Sequence, residues 1–148
     1  MIKIGDKAPE INSIDQNGEK ISLEQFKGKK IVLYFYPKDM TPGCTAQSCN
    51  LRDNYQQLLD NGYVVIGCSA DSTDSHKKFI EKYDLPFPLI SDDNKVVVND
   101  YGVWGLKKFM GKEYMGINRT TFVIDENGII NDIISKVNTK NHTAQILL

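Results

Sequence analysis

No run in the 148-residue chain approaches the ~20 consecutive apolar residues that a membrane helix needs. The N-terminus carries charges at Lys3, Asp6 and Lys7 and has no apolar h-region, so no signal peptide is read and a cytoplasmic location is expected. Net charge is nearly absent as well. Eighteen Lys and Arg stand against nineteen Asp and Glu, a formal charge of -1. That excludes an electrostatic case for nucleic acid or an anionic membrane as partner. There is no internal repeat, low-complexity tract or linker, and the length fits one domain over residues 1–148. A domain of this size buries roughly 68–70% of its unfolded surface, so it needs neither disulfide nor metal to fold. Cysteine is scarce. Three residues, Cys44, Cys49 and Cys68, are an odd count and no disulfide framework. In a cytosolic chain they are expected to be catalytic, redox-active or simply buried. The Asn-x-Thr triplets at Asn118 and Asn141 are then accidental.

The secondary structure reads as follows. Asn17-Gly18 between two short apolar stretches signals an N-terminal hairpin. Ser22-Leu23-Glu24-Gln25 is a capping box for one helical turn, ended by Gly28. Residues 31–36 (IVLYFY) form a continuous apolar run, as a strand covered on both faces requires. A helix is expected over 44–60, since Leu51, Tyr55, Leu58 and Leu59 fall on one stripe. Residues 63–70 give a second central strand, 74–84 a helix, 85–90 an extended segment and 94–101 a short helix. A long loop over 102–118 carries Trp104. Strands at 120–124 and 129–135 flank the turn signal Asn127-Gly128, and HTAQILL closes the chain as a helical turn or two. The order βαβ, helices, hairpin, helix predicts an α/β fold with a central mixed sheet and helices on both faces.

The chemistry concentrates in PKDMTPGCTAQSC, residues 37–49, directly after the most hydrophobic strand. Cys44 falls in the first turn of the expected helix, where unpaired N–H groups and about half a positive charge stabilise a thiolate. Gly43 lets the backbone approach closely. Pro42 fixes φ and removes a donor. Thr41 offers a hydroxyl three residues before the sulfur. The alternative is a small buried cysteine, but the end of a strand in an open α/β sheet is where ligand sites gather. Cys49 is five residues on. In an intact helix its Cα would lie about 8.6 Å from that of Cys44, beyond the roughly 4.4–6.8 Å a disulfide allows. The pair can bond only if the first turn unwinds, which makes it a workable redox switch. Simple packing of Cys49 on the inner face is the alternative. Cys68, in a central strand, reads as a core cysteine.

With Pro37, Thr41 and Cys44 in the pattern P-x-x-x-T-x-x-C, the chain resembles a peroxiredoxin. The second cysteine five residues on resembles the Q-type, or bacterioferritin-comigratory, subfamily. The likeness covers nearly the whole chain. It includes Leu51-Arg52-Asp53, Ser75-His76-Lys77-Lys78-Phe79, Leu85-Pro86-Phe87, Tyr101-Gly102-Val103-Trp104-Gly105 and Gly116-Ile117-Asn118-Arg119-Thr120-Thr121-Phe122. The resemblance implies a thioredoxin-like fold and a thiol peroxidase that consumes hydrogen peroxide and organic hydroperoxides without a cofactor. Cys44 would be the peroxidatic cysteine and Cys49 the resolving one. Thr41, Pro37 and Arg119 would support them, and Pro42 and Gly43 complete the turn. A thioredoxin or similar dithiol would be the reductant, and a monomer is the expected state. Gln47 stands where the subfamily often has Glu, which would weaken a hydrogen-bond network with Arg119 or Arg52. Cys68 stands where a small residue such as Ser is usual.

Three other readings compete. A thiol-disulfide oxidoreductase or redox sensor shares the fold, but the former normally uses C-x-x-C, a pair missing here. A zinc module could draw on Cys44, Cys49, Cys68 and His142, at spacings unlike the usual short-loop pairs; no metal is expected. For Arg119 the bland alternative is a solvated strand charge. His76 and His142 are read as surface or capping residues. Asp92-Asp93-Asn94 is read as a helix-start turn and not a calcium loop.

Overall fold

The computed structural model describes residues 1–148. Its centre is a five-stranded mixed sheet. β3 (Lys30–Phe35) pairs in parallel with β4 (Tyr63–Ser69), and β4 pairs in parallel with β5 (Leu89–Ser91). On the other side of β3, β8 (Thr120–Ile124) runs antiparallel, and β9 (Ile130–Ile134) pairs antiparallel with β8. The order across the sheet is β5-β4-β3-β8-β9.

Residues 31–36 are all buried, and the two-residue period of a strand sends them alternately to two cores. Ile31, Leu33 and Phe35 join Ile66, Cys68, Phe122 and Ile124 on one face. That face is covered by α4 (Val96–Asp100) through Val97 and Val98, and by the N-terminal hairpin of β1 (Asn12–Ile14) and β2 (Lys20–Ser22) through Ile21. Val32, Tyr34 and Tyr36 face the other core. There they meet Cys44 and Leu51 of α1 (Pro42–Asp53), Leu58 of α2 (Tyr55–Asp60), Phe79 of α3 (Thr73–Tyr83) and Ile146 of α5 (His142–Leu147). Each such fully buried side chain contributes about 1.5–3 kcal/mol. Gly67 in β4 has no room for a side chain, because a Cβ there would lie 2.5 Å from Leu89 Cδ2 and 2.8 Å from the Tyr34 ring.

The capping box holds. Gln25 Oε1 accepts from the Ser22 N–H (3.0 Å) at the start of a 3-10 turn over Leu23–Phe26. Asp92 caps α4, its two carboxylate oxygens accepting the N–H groups of Val97 (3.1 Å) and Val98 (2.8 Å). Two expectations need correction. The helix over 44–60 is two helices with a break at Asn54, whose Nδ2 donates to the Asn50 carbonyl at 2.8 Å and competes with the helical ladder. The bend turns Leu59 out to solvent. The segment 102–118 is no loop. It forms a two-stranded antiparallel ribbon, β6 (Trp104–Phe109) and β7 (Lys112–Ile117), closed at Met110-Gly111. Both turn residues have positive φ (52° and 79°), the signature of a type I′ turn. No helix is long and apolar enough to cross a membrane.

Candidate active site

The topology gathers the site at one edge of the sheet. The carboxyl end of β3 is Phe35, which pairs with Cys68 of β4 and with Thr120 at the start of β8. Residues 36–41 leave that edge and enter α1, while Arg119 precedes Thr120. Two segments 75 residues apart in sequence therefore converge, and Arg119 Nη2 donates to Cys44 Sγ at 3.3 Å.

Thr41 is the residue before α1, in an extended conformation, and Pro42 opens the helix. No side chain caps this end, so the N–H groups of Gly43 and Cys44 are not covered by a capping side chain, and the positive end of the helix faces the sulfur. Cys44 is fully buried, while Thr41, Gly43 and Arg119 around it are partly exposed. A Cβ at Gly43 would come within 3.3 Å of Arg119 Nη2, so the glycine permits the close approach of the guanidinium. The Thr41 hydroxyl donates to the Lys38 carbonyl at 2.8 Å. Its hydrogen is thus spent on that carbonyl, and its oxygen keeps lone pairs with which to accept. Pro37 sits between β3 and this loop and is partly buried.

Gln47 lies one turn after Cys44, fully buried, and its Oε1 accepts from Arg119 Nη1 at 2.6 Å. The network with Arg119 is therefore made by the amide and not lost. Arg52 is directed away, to Asp53 Oδ1 (2.9 Å) and the Tyr83 carbonyl (2.7 Å). Gln47 Nε2 is the one buried side-chain donor without a partner. Beneath the helix, the hydroxyls of Tyr34 and Ser48 are hydrogen-bonded at 2.9 Å. Burial holds the Tyr34 phenol well above its ordinary range.

Cys49 belongs to the same unbroken helix as Cys44, is half-buried and is free, as all three cysteines are. Desolvation pushes its thiol up, opposed by the Arg52 charge. Cys68 is buried in the core on the far face of the sheet, and burial pushes its thiol well up. Cys44 and Cys68 thus lie on opposite faces, and the four-ligand set with Cys49 and His142 is not assembled.

The two histidines are corrections, since both are fully buried. His142 Nδ1 faces Gln145 Oε1 (2.7 Å) and Nε2 faces the Thr121 hydroxyl (2.8 Å). Burial pulls its pKa down. His76 faces Asp39 Oδ2 at 2.7 Å. Lys107 was also missed. Its pKa is lowered by desolvation first and then by Arg119, with Cys44 acting the other way. Its ammonium donates to the Ile117 carbonyl (3.0 Å), two residues before Arg119 in sequence. A lysine in what reads as a loop carries no signal of this. For the histidines, a run such as SHKKF looks like an exposed helix face.

Residues 4–133 match the model of the AhpC/TSA family. The chain is 49% identical over 146 residues to Peroxiredoxin Bcp of Bacillus subtilis (strain 168), covering 99% of this chain and 93% of the relative. It is 45% identical to Peroxiredoxin Bcp of Escherichia coli (strain K12), covering 99% and 94%. Among solved structures, Peroxidoxin BcpB from Mycobacterium tuberculosis superposes with a TM-score of 0.88 at 33% identity, covering 99% of this chain and 95% of that one. A variant of Xylella fastidiosa PrxQ superposes with a TM-score of 0.93 at 28% identity, covering 99% and 94%. With its thioredoxin-like sheet and a helix-capped cysteine beside an arginine, the chain belongs to the AhpC/TSA family and is a thiol peroxidase of the Bcp, or Q-type, peroxiredoxins.

Proposed function

We propose that this single unit, residues 1–148, reduces hydroperoxides through Cys44 and resolves the product through Cys49. The observation that carries the reading is the Arg119 Nη2 contact with Cys44 Sγ (3.3 Å) at an uncapped helix N-terminus. A fixed cation and open N–H groups favour the thiolate, the form that attacks. The thiolate takes the distal oxygen of ROOH, the O–O bond breaks, and Cys44 becomes a sulfenic acid. The leaving RO⁻ takes a proton to become water or alcohol. Donors for that charge are the Gly43 and Cys44 N–H groups and Arg119. The Thr41 oxygen, its own hydrogen given to the Lys38 carbonyl, accepts the hydroperoxide O–H.

Resolution follows when the Cys49 sulfur attacks the sulfenic sulfur. An S–S bond forms and hydroxide leaves as water. Within intact α1 the two Cα atoms are about 8.6 Å apart, so the first turn must open. Desolvation raises the Cys49 thiol while α1 is folded, and unwinding removes that burial. A dithiol reductant of thioredoxin type then restores both thiols by exchange. We read the working form as a cytosolic monomer.

In the testing experiment, stopped-flow consumption of hydrogen peroxide and of an organic hydroperoxide is followed with and without thioredoxin. Cys44→Ser is expected to abolish consumption, and undiminished turnover would sink the assignment. Cys49→Ser is expected to keep one turnover but lose thioredoxin-coupled cycling, with the oxidised wild type running as a monomer bearing one internal bridge. Full cycling in that variant would remove Cys49 from its role.

A further inference from the structure

One enclosed polar cluster takes no part in the chemistry above. It lies at the carboxyl ends of β3 and β4, where Asp39 and His76 are both buried. Asp39 Oδ1 accepts the Tyr36 hydroxyl at 2.6 Å, and Oδ2 accepts the Ser75 hydroxyl at 2.8 Å. The same Oδ2 lies 2.7 Å from His76 Nδ1. The other ring nitrogen, Nε2, is 2.9 Å from the Ile90 carbonyl oxygen. A carbonyl only accepts, so Nε2 carries a hydrogen. With Asp39 as an acceptor-only carboxylate, taking the Tyr36 and Ser75 hydroxyls, the short contact to Nδ1 would put a hydrogen on that ring nitrogen too. The result is a buried ion pair whose remaining valences are satisfied, the condition under which such a pair is tolerated.

The donor atoms of Asp39, Asp71 and His76 lie within 4.8 Å of one another, yet they are already engaged. Asp71 Oδ2 accepts the Asp39 N–H (2.8 Å) and the Ser69 hydroxyl (2.6 Å). A cation would have to displace these bonds, so the cluster is a tie between segments. It joins the loop after β3 to α3 through Ser75 and His76, to the loop after β4 through Asp71, and to β5 through Ile90. The next residue, Met40, has φ of 66°, a conformation a non-glycine residue holds only when its surroundings enforce it. Thr41 follows, and its carbonyl accepts the first bond of α1, from the Thr45 N–H at 2.9 Å.

We propose that the Asp39–His76 ion pair is a clamp that anchors the loop ahead of α1. By holding Asp39 and the strained Met40 in place while the first turn is melted in the disulfide form, it lets that turn re-form with Cys44 against Arg119. Asp39 and His76 are positioning residues and touch no substrate. This inference rests on the peroxidase reading, and the experiment separates the two.

Nitrogen-15 NMR of the reduced wild type at neutral pH is expected to show a proton on both ring nitrogens of His76. A bare Nδ1 would overturn the ion pair. In double-mixing stopped flow, oxidised protein is reduced with excess dithiothreitol and then challenged with peroxide after a variable delay. Asp39→Asn is expected to recover peroxide reactivity about tenfold more slowly than wild type, the scale on which small misplacements act. Leu58→Ala, which weakens the core at α2 and removes no bond of the cluster, is expected to recover at the wild-type rate. Equal recovery in Asp39→Asn and Leu58→Ala would overturn the clamp. Should Asp39→Asn fail to fold, Tyr36→Phe removes one donor and keeps the pair. It is expected to slow recovery about threefold, the loss of one hydrogen bond, and a wild-type rate would overturn the proposal. A wild type that consumes no peroxide defeats the functional reading, while the His76 protonation is measured independently of it.

Discussion

Replacing Arg119 with Gln tests the electrostatics of the site most directly. The guanidinium donates to Cys44 Sγ at 3.3 Å and to Gln47 Oε1 at 2.6 Å. Two opposite unit charges about 4 Å apart attract by about 4 kcal/mol at an effective dielectric constant of 20. Arg119 is partly exposed, so solvent screens part of this. A hydrogen bond to a charged group is worth about 1.5–3 kcal/mol net, and that is the better figure here. At about 1.4 kcal/mol per factor of ten, Arg119→Gln should slow the reaction of Cys44 with hydrogen peroxide by roughly 10- to 150-fold at neutral pH. Arg119→Lys keeps the charge but has no fork to reach Cys44 and Gln47 together, so its rate should fall between the two. The assay is single-turnover stopped flow on the reduced proteins, with folding checked by circular dichroism. A folded Arg119→Gln within threefold of wild type would refute the assignment of Arg119 as the partner of the thiolate.

Three further outcomes follow from the geometry. Gln47→Glu keeps an acceptor toward Arg119, removes the partnerless Nε2 and makes the bond charge-assisted. It should raise stability by about 1–2 kcal/mol in denaturant titration, and a loss would count against the observed orientation of the amide. Gly67→Ala places a Cβ 2.5 Å from Leu89 Cδ2 and should cost about 1–3 kcal/mol by overpacking; a neutral thermal shift would refute that crowding. His142, held neutral by burial, has a folded pKa below its unfolded value near 6.5. The unfolded chain therefore binds more protons as pH falls below that value, and stability declines over that interval. His142→Asn should flatten this part of the melting-temperature profile, and an unchanged slope would show that another group carries it.

Much of the sheet could be read from the chain because its signals are local. The run 31–36 is apolar without a break because both of its faces are covered, and Asn17-Gly18 and Asn127-Gly128 name their own turns. The cysteine motif was legible for the same reason: strand, turn and helix start are contiguous. What escaped depends on distance or on solvent. The ribbon β6–β7 carries Leu106, Phe109, Met110, Tyr114 and Met115 exposed among lysines, so no alternation of buried and exposed positions marks it. Its turn is Met110-Gly111 in place of Asn-Gly. Asp39 and His76 are 37 residues apart, and nothing near either one announces the other. The break at Asn54 is set by side-chain bonding to the Asn50 carbonyl, which the apolar stripe through Leu51 and Leu58 does not register.

The central sheet also partitions the three sulfurs. Cys44 and Cys49 belong to the helix on one side, and Cys68 is sealed within the opposite core. A thiol reagent applied to the native protein would therefore meet the half-buried Cys49 first and ignore Cys68. Cys68 would take up label only as the sheet comes apart, so the molecule carries its own gauge of global unfolding, independent of its redox state.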